Sequence, residues 1–160
     1  GDTTGMQFNR SDANSAWVAM RFYIQQNQKG YIQVNVNDVT YSTSSDYRLK
    51  ENEVLISDGI TRLKELKPYR FNWKTDTSKK VDGFYAHEVS GIVPEAIAGE
   101  KDGVVTQAMI DAGEIDEPIG NPVYQQIDQA KLVPLLTAAL QEAIAKIETL
   151  ETKVAALEAA

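Results

Sequence analysis

The run Ser44-Ser45-Asp46-Tyr47-Arg48-Leu49-Lys50 places a hydroxyl and an amine where they can do chemistry together. Ser45 and Lys50 stand five positions apart and meet if the chain turns between them. A serine hydroxyl is a weak nucleophile until a base takes its proton. Lysine serves as that base when burial pushes its pKa far below about 10.4, and its compact ammonium, unlike a guanidinium, can be neutralised in this way. On spacing alone the same run reads first as a solvated loop with a polar stretch able to cap a helix. Other candidates are weaker. His87 is the only histidine, so a Ser-His-Asp arrangement must use it with one of many serines; beside Tyr85 on an expected strand, it reads as a hydrogen-bonded structural residue. The carboxylates from Glu100 to Glu117 lack the Gly and terminal Glu of a regular calcium loop, and the chain contains no cysteine for zinc, disulfide or thiol chemistry. No metal and no cofactor are expected. Trp73, Phe84 and Tyr85 read as core aromatics rather than a sugar platform.

Three regions surround and must position this run. Up to Ser44 the chain is polar, and the alternating stretches Trp17 to Ile24 and Tyr31 to Asn37 read as strands, with a turn at Gln28-Lys29-Gly30. Two strands are marginal alone, so this region is expected to be the end of a β-structured body that pairs with copies of itself. From Ser45 to residue 130 the pattern is that of a small mixed domain. A helix capped by Asn52 carries Ile56, Ile60, Leu63 and Leu66 and stops before Pro68. A hairpin follows, with strands Tyr69 to Lys74 and Val81 to Ala86 and aromatics that supply much of the core. Glu88 to Val93 is a short helix or turn, and Gly99 to Pro122 is a long surface loop with one short helix around Gln107 to Asp111. From Lys131 to residue 160, Val133, Leu140, Ile147 and Val154 share one heptad position and Leu136, Ala143, Leu150 and Leu157 the other, with Glu142, Lys146, Glu148, Glu151 and Lys153 flanking. This coiled-coil seam spans about four heptads and requires partner helices, although its residue types alone lean towards two strands rather than three.

Composition narrows the partners. The 160 residues, 42% hydrophobic and 24% charged, allow one modest core with an elongated appendage. A net charge of -7 with interspersed cations leaves no basic footprint, so nucleic acid is not an expected partner. No apolar run approaches the roughly 20 residues of a membrane span. The first residues, Gly1 to Gly5, have no signal-peptide pattern and look like a fragment boundary.

Four motifs in order carry a resemblance: Ser45-Asp46-x-Arg48-x-Lys50; Phe71-Asn72-Trp73-Lys74; Gly83-Phe84-Tyr85-Ala86-His87-Glu88-Val89 with Pro94-Glu95-Ala96; and Leu132-Val133-Pro134-Leu135-Leu136 running into a heptad helix. From Ser45 to about Leu150 the chain resembles the peptidase S74 family, intramolecular chaperone domains of phage tailspikes, tail fibres and neck appendages. His87 departs from it, since the family usually reads Ala-Gln-Glu there. The resemblance implies an α+β homotrimer: a β-region from a fibre stem (1–44), a globular chaperone and autoprotease domain (45–130) and a coiled-coil helix (131–160). It implies a domain that registers the upstream fibre chains in the host cytoplasm, then releases itself while the fibre stays in the virion. Ser45 is the implied nucleophile, Lys50 the base, and Ser44–Ser45 the scissile bond. Asp46 and Arg48 match the motif and are expected to hold the loop by ion pairing. The alternative is a trimerisation foldon of a fibre or adhesin that never cuts; a receptor- or glycan-binding tip is a third reading.

Overall fold

The computed structural model describes residues 16–159; the part of the polar region before residue 16 lies outside them. The chain forms two compact units divided after Val54.

The first unit is an antiparallel meander of β1 (Trp17–Ile24), β2 (Asn27–Val34) and β3 (Val39–Thr43), in that spatial order. Strand β1 occupies the alternating run read from the sequence, but the first turn lies earlier than expected. Gln25 and Gln26 both take positive φ, 47° and 65°, the handedness that a two-residue hairpin needs to match strand twist. Gly30 is instead inside β2, where a Cβ would lie 2.5 Å from the carbonyl oxygen of Ser42, so glycine serves close backbone approach rather than a turn. The third strand, Ser or Thr at three of its five positions, also carries Val39 and Tyr41, and Val, Thr and Tyr suit a pleated, half-covered surface. Cross-strand pairing places Met20, Ile32 and Tyr41 side by side on one face and Arg21, Tyr31 and Ser42 on the other.

The second unit begins with an irregular stretch. Asn52, in the first unit, has φ 55° and starts no helix; α1 runs only over Gly59–Leu63, and Val54, Leu55 and Ile56 are exposed. The helical spacing of Ile56 with Ile60 and Leu63 therefore overstated the helix, because the chain before Gly59 has no core to lie on. Helix α1 is set by tertiary contact. It packs on α4 (Val133–Glu158), and a Cβ on Gly59 would meet the backbone nitrogen of Ala139 at 2.5 Å. Asp58, at the N-cap, makes no side-chain cap; the Ile60 N–H donates instead to Glu142 Oε2 at 3.0 Å. Glu142 is thus turned towards α1 rather than outwards, its carboxyl held below the usual range by that N–H and by Lys146. Replacing Gly59 by Ala forces two backbones apart and is expected to destabilise this unit by about 3 kcal/mol, read as a lower denaturant midpoint with an unchanged slope.

Strands β4 (Tyr69–Trp73) and β5 (Asp76–Gly83) form the expected hairpin, with a turn shorter than the one read from the sequence. Period two puts Tyr69, Phe71 and Trp73 on one face. Phe71 meets Trp73 edge-on at 5.3 Å and Tyr69 meets Tyr85 at 5.1 Å. Trp73 and Tyr85 nevertheless stay exposed. The core is aliphatic instead: Leu66, Val89, Val93, Ala96, Leu132 and Leu135, bordered by Leu63 and Phe84. It is closed by α2 (Ala86–Val89), a 3-10 turn at Pro94–Ala96, and a short pairing of β6 (Ile97–Ala98) with β7 (Gln126–Ile127). The expected loop carries α3 (Gln107–Asp111), capped by the Thr106 hydroxyl, which accepts the Met109 N–H.

Helix α4, at about 1.5 Å per residue, is about 39 Å long. Leu135 and Ala139 are buried, while Val133, Leu136, Leu140, Ile147, Leu150, Val154 and Leu157 are all exposed. Most of its heptad seam therefore has no cover among the described residues, Ala143 alone of these positions being half-buried. No helix among the described residues is long and apolar enough to cross a membrane.

Candidate active site

Every group of the Ser45–Lys50 site lies in the first unit, where β3 ends. The ladder continues one step past Thr43, the Ser44 N–H donating to the Lys29 carbonyl at 2.9 Å and the Ser44 hydroxyl to the Gln28 carbonyl at 3.0 Å. The chain then enters a 3-10 turn over Tyr47–Leu49.

Asp46 builds that turn. Its backbone is extended, φ -65° and ψ 135°, and its carboxylate accepts the Arg48 N–H at 2.8 Å, as an N-cap residue does. The same carboxylate takes the Arg48 guanidinium in a two-pronged grip, Nε at 2.9 Å and Nη2 at 2.8 Å. The Arg48 side chain first, and its N–H second, hold the Asp46 carboxyl below the usual carboxylate range; Asp46 in turn pushes the Arg48 guanidinium up. The Leu49 N–H donates to the Asp46 carbonyl at 3.1 Å and the Lys50 N–H to that of Tyr47 at 3.0 Å. Asp46 and Arg48 therefore hold the loop by ion pairing, and the turn has a consequence for its two ends.

It brings Lys50 Nζ to 2.8 Å from Ser45 Oγ. As an ammonium, Lys50 donates to that oxygen; as a neutral amine it would accept the Ser45 proton over the same distance, within the reach a general base needs. Both residues are exposed. The pair is thus formed within a single chain, but the low-dielectric surroundings that favour the neutral amine are not.

The other groups singled out by sequence lie in the second unit. His87 sits in α2 rather than on a strand, its ring 5.8 Å from that of Tyr85, and the Ser90 hydroxyl donates to its backbone carbonyl, not to the imidazole. Three of the six carboxylates of the long loop are engaged locally: Asp102 with Lys101, Asp111 with the Gln107 amide, Glu117 with the Asn121 amide. Among the described residues no group of three acidic or histidine side chains is placed to hold a metal.

Two arrangements escaped the sequence. The Glu142 cap joins residues 82 positions apart, beyond any local pattern. Glu88, named only as part of a motif, receives Lys67 Nζ at 3.2 Å and the Tyr69 hydroxyl at 3.4 Å. Burial opposes its ionisation, but those two donors outweigh burial and hold it below the usual range.

No curated protein matches the chain. The family described as peptidase S74, chaperone of endosialidase, matches residues 45–98, a stretch that starts at the candidate nucleophile and runs through the dyad turn, the hairpin and α2 to the end of β6. With three of the four motifs inside it, the segment 45–98 is similar to the peptidase S74 family.

Proposed function

We propose that this chain is an intramolecular chaperone that gathers three copies of an upstream β-fibre, of the phage tail fibre or tailspike kind, and then severs itself between Ser44 and Ser45. The observation that carries the reading is the 2.8 Å contact of Lys50 Nζ with Ser45 Oγ at the first residue of the family match. The uncovered seam of α4 supports assembly, because a helix of that length with an apolar stripe is stable in water when copies of it pack together.

In this reading Lys50 takes the Ser45 proton as Oγ attacks the Ser44 carbonyl carbon. The C–N bond breaks, the nitrogen of Ser45 leaves as an amine with the proton returned by Lys50, and Ser44 is held as an ester on Oγ. Water, activated by the same lysine, hydrolyses the ester to a Ser44 carboxylate and a free Ser45 hydroxyl. The cut consumes one water and happens once per chain. Gathering the chain ends raises their effective concentration and offsets the entropy of registering three long strands. Losing the guide afterwards leaves a fibre that persists because its unfolding is slow. Assembly in the host cytoplasm, before the fibre joins a virion, fits this order of events.

Intact mass spectrometry of the natively assembled protein is the test. Two fragments meeting between Ser44 and Ser45 are expected. A single whole-chain mass from an assembled trimer would replace this reading with that of a foldon that stays attached.

A further inference from the structure

Strand β2 carries a bulge beside the proposed cut. Phe22 pairs with Gly30 and the next residue, Tyr23, with Gln28, so Lys29 is an extra residue with no partner on β1. In a regular strand successive carbonyls point to opposite neighbours. A bulge breaks that alternation and re-aims the groups around it. Here the carbonyls of Gln28 and Lys29, adjacent in sequence, both face Ser44: one accepts its hydroxyl at 3.0 Å, the other its N–H at 2.9 Å. The residue on the acyl side of the bond is therefore fixed twice. On the amine side, the Asp46–Arg48 grip fixes the turn that presents Ser45 and Lys50.

We infer that Ser44 is a positioning and specificity-determining residue for self-cleavage: the Lys29 bulge turns two carbonyls onto it, so that its hydroxyl and N–H hold the scissile carbonyl against the sheet while Asp46 holds the attacking side. The inference rests on the cleavage reading. Its physical content is that an attack across one peptide bond needs both halves held, since a misplaced acyl carbon loses the advantage of proximity. A hydroxyl is specifically required at position 44, because the N–H bond to Lys29 is open to any residue but proline, whereas the bond to the Gln28 carbonyl needs a side-chain donor one atom beyond Cβ. Threonine supplies the same donor and suits a strand end.

Cleavage of assembled parent, Ser44→Ala and Ser44→Thr chains is followed over time by intact mass, with assembly and thermal midpoint measured on each. Ser44→Ala is expected to assemble and melt like the parent but cut about tenfold more slowly, because the acyl carbon is then held by the N–H bond alone and less often lies in reach of Ser45 Oγ. Ser44→Thr is expected to restore the rate to within about twofold. A Ser44→Ala chain that cuts as fast as a cut parent overturns the inference alone. So does a slow Ser44→Ala chain that Ser44→Thr fails to rescue, since the loss then belongs to the fold and not to the hydroxyl. A parent that stays whole takes the cleavage reading down first, and this inference with it.

Discussion

Ser45→Ala is expected to leave the assembled chain whole. The substitution removes the oxygen that Lys50 Nζ touches at 2.8 Å and little else, because Ser45 is exposed and Asp46, not Ser45, caps the turn. Exposed replacements away from caps and cores change stability by less than about 0.5 kcal/mol, so a trimer of parental thermal midpoint is expected. The cutting rate should fall by about a thousandfold or more, as it does when a nucleophile that acts with its base as a unit is lost. Lys50→Met, which keeps the length of the side chain and removes the amine, should fall as far. The double variant should fall no further than either single one, the signature of two groups acting in one step. Intact mass after prolonged incubation reads all three. A Ser45→Ala chain that still cuts between residues 44 and 45 would remove Ser45 from the chemistry and leave water as the attacking group.

The second large effect concerns assembly. Leu140 and Ile147 lie on the seam of α4 and are exposed in the single chain, whereas Leu132 at its N-cap and Leu135 join it to the core and Ala139 packs against α1 at Gly59. Leu140→Glu with Ile147→Glu should therefore leave each chain folded while placing like charges at the centre of any helix–helix seam. Sedimentation should show a monomer, and intact mass an uncut chain. The reason is specific to this site. The Ser45–Lys50 contact already exists within one chain, formed by a turn held by the Asp46–Arg48 pair and by its own backbone hydrogen bonds. What the described residues do not supply is cover, since Ser45 and Lys50 are both exposed. Under the proposal, assembly brings exclusion of water rather than a missing contact, so misassembled chains stay whole. A monomeric variant that cuts at the parental rate would show that the contact alone suffices, and would separate catalysis from assembly.

The division between what residue order reveals and what it hides follows the range of the interactions. The Ser45–Lys50 contact lies within six residues, where a cap and an ion pair decide the turn, yet spacing alone read first as a solvated loop and only the family motifs drew the two residues together. Strand β1, the short helix at Gln107–Asp111 and the long helix α4 were legible because residue type and spacing are local facts, although burial along β1 does not alternate as its pattern promised. Asn52 misled, since a capping residue and a three-to-four spacing promise a helix only where a core waits for its apolar face; the helix begins at Gly59 because the α4 backbone accepts only glycine there and Glu142 supplies the cap from a distance. Gly30 misled in the opposite sense, its turn-like chemistry serving a close pass of Ser42. Residue order thus determined the local turn at Ser45 to Lys50, the family motifs and the apolar heptads of α4. Only the folded chain decided that a bulge at Lys29 would turn two carbonyls onto Ser44, because carbonyl direction depends on how strands register against one another, and register is a property of pairs of strands that no single stretch of sequence contains.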